Sequence, residues 1–243
     1  MESFIRRMQH YVSLSEADFA PWRALPSKIL TFEPGQRVVA YDQPVHRLFV
    51  IEDGWALRTR HLPDGRRQVI SVLSRGEFFD LMSLVGGVSD HSIEAARPLT
   101  LRAFDGDDVL ALQCASSKLH AAFLWLAVRE EAKLRAQIVR IGRMSARERI
   151  ANFIMELDHR QSIALSRSER ESATVELPLP QSVIADALGL SIVHVSRTLS
   201  ALKRDGLLEA DRRSVTLLDR EEMRRISGFE PMNPKPAKLP FGL

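Results

Sequence analysis

The pattern of apolar and polar positions changes character twice along the 243 residues. From about Ser27 to Phe104, short apolar stretches alternate with turn signals at Pro34-Gly35, Asp42-Gln43-Pro44, Asp53-Gly54, Pro63-Asp64-Gly65, Gly76 and Gly86-Gly87. Turns spaced by roughly ten residues predict an all-β sandwich or barrel. Within it, LFVIEDGWALRTRHLPDGRRQVISVL predicts successive strands with a hairpin at Asp64-Gly65, a dipeptide that tolerates the positive φ of a tight turn. The second pattern begins at Ser116. Leu119, Phe123, Leu126, Leu134, Ile138 and Ile141 follow mostly at three- and four-residue steps with charges between them, which predicts one amphipathic helix of about seven turns. A stripe of that length predicts pairing with a partner helix through those six residues, while the plainer alternative packs them on the chain's own β-domain.

Arg140 to Ser145 interrupts the stripe. Gly142 is a flexible point, Ser145 an N-cap, and Glu148 three residues later completes a capping box, so a hinge between domains is expected there. A helix over about Ala146–Arg160 and a polar loop at 166–172 come next. Leu177-Pro178-Leu179-Pro180 then enforces extended chain, because proline disfavours helix in the residue before it.

The segment PQSVIADALGLSIVHVSRTLSALKRDGLL has helix-turn-helix grammar. Ala185 permits close helix contact, Gly189 falls at the turn, and Ser191 caps a second helix. Ile184, Leu188, Leu190, Val195, Leu199 and Leu202 form the packing side, which turns His194, Ser196, Arg197 and Ser200 outward. The first turn of such a helix enters the DNA major groove, where an arginine donates two hydrogen bonds to guanine O6 and N7. Arg197 is the expected base reader, with Val193, His194 and Ser196 beside it. Ser191, Ser200, Lys203, Arg204 and Arg213 are the expected phosphate contacts. Asp205–Leu208 reads as a helix stop, and Arg212–Leu217 as part of a small hairpin, the wing of a winged helix.

Composition narrows the function. No apolar run is long enough to cross a bilayer and Met1–His10 shows no secretory pattern, so a cytoplasmic protein without membrane contact is expected. The one cysteine, Cys114, makes no internal disulfide and supplies too few thiolates for an iron–sulfur cluster or a zinc site; a buried inert thiol is expected, with a redox-sensitive one as alternative. Net charge is only +3, but Arg129–Arg149 reads REEAKLRAQIVRIGRMSARER, and basic residues recur at Arg197, Lys203, Arg204, Arg212, Arg213, Arg220, Arg224 and Arg225. Such runs either bind nucleic acid or are solvated helix faces.

These motifs together resemble the Crp–Fnr superfamily of bacterial regulators over nearly the whole chain. FEPGQRVV and LFVIEDGWALR look like its effector-domain strands, Ser116–Ile141 its dimer helix, RMSARERIANFIMEL the helix after its hinge, and HVSRTLSALKRDGLL its recognition helix and approach to the wing. The fold expected is α+β: a β-roll (cupin-like jelly roll) sensor domain over 1–115, a dimerisation helix and hinge over 116–142, a winged helix-turn-helix over 143–230 and a proline-rich tail over 231–243. The resemblance implies a homodimeric transcription activator on double-stranded DNA with an inverted-repeat operator, and contact with RNA polymerase.

The candidate effector pocket is Asp80, Leu81, Met82, His91 and Ser92. In the cyclic-AMP branch the matching stretch is Gly-Glu-Leu followed by Arg-Ser, where the arginine neutralises phosphate and the glutamate bonds ribose. Here Asp80-Leu81-Met82 and His91-Ser92 remove both groups, so cyclic AMP is disfavoured. The iron–sulfur branch needs an N-terminal cysteine cluster that this chain lacks. His46, His61, His91 and His120 show no pattern that singles out a haem ligand. No cofactor is expected; an unidentified small effector, or none, stays open. In the recognition helix, Val193 replaces the glutamate of well-known members and Ile192 their arginine, so their operator does not carry over. Two rivals are weighed: a regulatory module acting by protein contacts without DNA, and a metal-dependent β-barrel enzyme. The enzyme lacks any His-x-His spacing.

Overall fold

The computed structural model describes residues 1–165 and 174–231. The polar loop at 166–172 and, apart from Pro231, the proline-rich tail lie outside the described residues. The chain divides into two compact units, Met1–Arg60 with Val72–Lys133, and His61–Ser71 with 134–231.

The first unit opens with α1 (Glu2–Tyr11), a 3₁₀ turn (Glu16–Phe19) and α2 (Ala20–Ala24). These helices were not expected, although Phe4, Met8 and Tyr11 fall at helical steps and are buried. There follow β1 (Ser27–Phe32), β2 (Arg37–Val39), β3 (Arg47–Asp53), β4 (Trp55–His61), β5 (Arg67–Ser74), β6 (Phe78–Phe79), β7 (Ser92–Ala95) and β8 (Leu99–Asp105), with a 3₁₀ turn at Leu81–Leu84. Two four-stranded sheets, ordered β1-β8-β3-β6 and β2-β7-β4-β5, make the β-roll. Its core draws on both, with Phe49, Ile51, Phe79 and Leu101 from one and Val39, Ala56, Leu73 and Ile93 from the other. The expected hairpin between β4 and β5 turns at Gly65, φ +84°. At the tighter turn before β4, a Cβ on Gly54 would lie 2.0 Å from the Pro98 carbonyl oxygen, so only glycine fits.

After β8 come α3 (Gly106–Ala115), which is distinct from the predicted long helix, and α4 (Ser117–Arg143). The Ser116 hydroxyl accepts from the Leu119 amide at 3.3 Å and marks the break between them. One expectation about α4 needs correction. Leu119, Phe123 and Leu126 are buried in their own unit and cannot form a seam with a second copy. Phe123 packs against Trp22 and Phe4, at 5.5 and 6.5 Å between ring centroids, and the N-terminal helices thus capture the first half of the stripe. Leu134, Ile138 and Ile141 are exposed, as are Leu124 and Val128, which had not been singled out.

Gly142 is helical, and the chain breaks two residues later, at Met144-Ser145. There the expected capping box forms: the Ser145 hydroxyl accepts from the Glu148 amide and the Glu148 carboxylate from the Ser145 amide, at 3.4 and 2.7 Å. The second unit continues with α5 (Ala146–Ala164), β9 (Thr174–Glu176), α6 (Gln181–Leu188), α7 (Ile192–Arg204), β10 (Leu208–Ala210), β11 (Ser214–Leu217) and α8 (Arg220–Ser227). Helix α5 extends four residues beyond the predicted end. Strands pair in the order β10-β11-β9, so the hairpin gains a third strand at Thr174–Glu176, just before the expected extended entry at Leu177-Pro178-Leu179-Pro180.

Candidate nucleic-acid interface

Helices α6 and α7 meet at 103°, within the range of helix-turn-helix pairs. Gly189 makes the turn at φ +62°, and the amides of Gly189 and Leu190 both donate to the Ala185 carbonyl. A Cβ on Gly189 would meet only Arg149 Nη1, at 3.7 Å, so backbone conformation rather than crowding calls for glycine. The Ser191 hydroxyl accepts from the His194 amide at 3.2 Å and caps α7, as expected.

Burial separates the two sides of α7. Val195 and Leu202 are fully buried and Leu199 is half-buried, and Ile184 and Leu188 of α6 are buried as well. Val193, His194, Ser196, Arg197, Ser200, Lys203 and Arg204 are exposed. Val193, Arg197, Ser200 and Arg204 follow at helical steps and share one face. Arg197 makes no hydrogen bond or ion pair with the described residues. Ile192, next to Val193, is also exposed, an apolar pair at the tip of α7 of which only Val193 had been picked out.

The wing turns through Asp211, whose carboxylate accepts from the Arg213 and Ser214 amides at 2.6 and 2.7 Å. Those bonds, with one from the Ser214 hydroxyl, hold the Asp211 carboxyl below its ordinary range. Arg212 and Arg213 are exposed on that turn. Lys203 donates to the Ala210 carbonyl at 3.2 Å and ties α7 to the hairpin, so its ammonium is already engaged.

Much of the remaining basic run is used internally. Arg129 stands over the Tyr11 ring, and Lys133 pairs with Glu77 and Glu130. Arg140 pairs with Glu156 and donates to Asn152 at 2.9 Å, and Arg147 pairs with Asp205 at 2.6 Å. Arg149 donates to the Met144 and Leu188 carbonyls. Arg220, Arg224 and Arg225 pair with Asp158, Glu221 and Glu222.

The predicted effector residues do not all converge. Asp80 and His91 are buried with His91 Nε2 3.2 Å from Asp80 Oδ1, and the Ser92 hydroxyl accepts from the Tyr41 amide at 3.1 Å. Leu81 is half-buried and Met82 is exposed, which removes Met82 from any interior pocket. Cys114 is exposed, contrary to the expectation of a buried thiol. Among the described residues no single helix is long and apolar enough to cross a membrane.

A helix pair at this angle, a bare arginine on the outward face of the second helix and a wing behind it define a DNA-binding winged-helix regulator carrying a β-roll. Residues 148–226 match the Crp-like helix-turn-helix domain, and residues 29–113 the cyclic nucleotide-binding domain. The nitrogen fixation regulation protein FixK of Rhizobium meliloti is 31% identical over 204 residues, spanning 83% of this chain and 88% of that protein. The transcriptional activator protein FnrL of Cereibacter sphaeroides is 27% identical over 190 residues, 78% of this chain and 76% of the other. Among solved structures, FixK2 from Bradyrhizobium japonicum superposes with a TM-score of 0.75 at 23% identity, covering 85% of this chain and all of that one. The chain belongs to the Crp–Fnr superfamily of transcription regulators; it is a DNA-binding regulator, and its relatives are regulators rather than enzymes.

Proposed function

We propose that the chain acts in the cytoplasm as a homodimer on an inverted-repeat operator, with two copies of α7 in successive major grooves about 34 Å apart. The observation that carries this reading is the outward face of α7, where Arg197 is exposed with no partner among the described residues while Val195 and Leu202 are buried on the opposite side. Arg197 reads a guanine, Val193 contacts a thymine methyl, and His194 and Ser196 bond neighbouring base edges. Ser191, Ser200, Arg204 and Arg213 hold phosphates, with Lys203 in a mixed role because it also braces the wing. The exposed Leu134, Ile138 and Ile141 of α4, joined by Leu124 and Val128, form the dimer seam. The β-roll receives a small effector other than cyclic AMP, and no iron–sulfur cluster or other resident cofactor takes part. As the family resemblance implies, the bound dimer activates transcription by contact with RNA polymerase.

Selection of binding sites from random duplex DNA by the purified protein, with its mass in solution measured, tests the proposal. Recovery of an inverted repeat by a dimer supports it. No enrichment from a folded dimer, with or without small-molecule extracts, refutes it.

A further inference from the structure

Asp80 is a group that the DNA-binding reading does not use. It follows β6 at the mouth of the 3₁₀ turn, with φ +67°, and is one of only two non-glycine residues among those described that adopt a left-handed backbone. Such a conformation is costly for a residue with a Cβ, and it persists where the surroundings impose it. Here the result is a carboxylate with none of its side chain exposed. Neither Asp80 oxygen accepts a hydrogen bond from the described residues. A buried carboxylate without donors is strongly unfavourable.

The one group that approaches it is His91. Its Nε2 lies 3.2 Å from Asp80 Oδ1 but outside hydrogen-bonding geometry, and it too lacks a partner. The ring cannot turn freely to correct this, because Nδ1 is held at 2.6 Å by the carboxylate of Asp90. Asp90 is largely exposed, so the imidazole spans from a surface carboxylate to a buried one. The cations on β4 have other partners, although the buried Nε of Arg58 makes no hydrogen bond among the described residues. Arg58 on β4 pairs with Glu130 of α4 at 3.2 Å, and Arg60 lies over the Tyr41 ring and donates to the Asp90 backbone carbonyl. No Lys or Arg among the described residues pairs with Asp80. A phosphate would meet a buried negative charge here, not a cation. A metal is not indicated either, since the described residues provide no group of three His, Cys, Asp or Glu side chains placed to hold one.

We propose that Asp80, with His91 beside it, is the anchor of an effector site in the β-roll for a compact organic cation bearing N–H donors, of the alkylammonium or amidinium class. The ligand's N–H groups donate to the two Asp80 oxygens and one reaches His91 Nε2. Its positive charge offsets two carboxylates, Asp80 and Asp90, that share the single imidazole of His91. This rests on the reading of the roll as the sensor, and it reverses the charge of the ligand relative to a cyclic nucleotide.

The test uses the purified full-length protein without DNA. Methylammonium, ethylammonium and acetamidinium chlorides are titrated calorimetrically, with potassium chloride and tetramethylammonium chloride at matched ionic strength as donor-free controls. Saturable binding of at least one N–H cation, absent with both controls and weakened about tenfold or more by Asp80→Asn, is the expected result. Asparagine keeps the shape of the side chain and tolerates the left-handed backbone; Asp80→Gly, which removes the conformational strain, serves as a second folded variant that should also lose binding. Absence of saturable binding by all three cations overturns the proposal, and so does binding that both variants retain. Site selection on the same preparation keeps the two readings apart: an operator recovered without any cation response refutes only the effector site, and no operator despite cation binding refutes only the DNA reading.

Discussion

Replacing Arg197 with alanine isolates base reading from every other contribution. In the free protein the guanidinium is exposed and bonds to nothing described, so its loss should change folding stability by less than about 0.5 kcal/mol. On DNA, a bidentate arginine–guanine contact discriminates by about 1–3 kcal/mol. The proposed homodimer makes the contact twice, so the operator should weaken by about 2–6 kcal/mol, roughly thirtyfold to twenty-thousandfold. Fluorescence anisotropy titrations would be run at one salt concentration on the selected operator and on versions with each base pair changed, then repeated over a range of salt. Arg197→Ala should lose preference at one symmetry-related base pair and keep the wild-type salt slope and the wild-type affinity for random DNA. A uniform loss on all sequences, with a slope smaller by about 1 per subunit, would mean that Arg197 holds a phosphate and that the base-reading assignment is wrong.

Three further predictions rest on separate parts of the molecule. Burial pushes the Glu130 carboxyl up, but the charges of Lys133 and Arg58 and the hydrogen bond from Lys133 outweigh it and hold the group below its ordinary 4.5. A depressed folded pKa contributes stability that is present above the unfolded value and lost as pH falls through the folded one, so thermal midpoints should fall on acidification below about pH 4.5 and Glu130→Gln should flatten that limb; an unchanged acid profile would count against the network. Gly189→Ala should cost about 1 kcal/mol in denaturant unfolding, from the left-handed backbone alone, and a loss above about 3 kcal/mol would mean a clash that the 3.7 Å clearance does not allow. Leu119→Ala should destabilise by about 2–5 kcal/mol and leave assembly intact, whereas Ile138→Glu should shift the mass measured by light scattering toward the monomer; the reverse pattern would undo the assignment of the two faces of α4.

Local rules were legible wherever one short stretch of chain decides the outcome. The Asp64-Gly65 hairpin, the Ser145–Glu148 capping box, the Ser191 cap and the Gly189 turn all depend on residues no more than five apart, and all appear as read. The outward face of α7 was legible for the same reason, since one helical period fixes which side chains oppose Val195 and Leu202. The basic run at 129–149 was not legible as an interface or as structure, because the partners that consume it are remote: Glu77, Glu156 and Asp205 lie 56, 16 and 58 residues from the cations they neutralise. Asp80 illustrates the opposite failure. Its type was read as a loss, the absence of a cyclic-AMP cassette, whereas its burial without a donor defines a requirement that only the folded roll displays.

The long helix shows why a correct element can still carry a wrong surface. A period of 3.6 identifies α4 from any apolar stripe, but α4 has apolar side chains on two sides: Leu119, Phe123 and Leu126 on one, Leu124, Val128, Leu134, Ile138 and Ile141 on the rest. Sequence spacing merges them, since Leu126 and Leu134 are separated by two turns and read as a single line. What separates them is α1 and α2, whose Phe4 and Trp22 take up Phe123 and leave the later residues bare. A chain with neither helix would have the whole stripe free for a partner. With them in place, the seam proposed above is confined to the outer residues, a narrower line than the periodicity alone suggests.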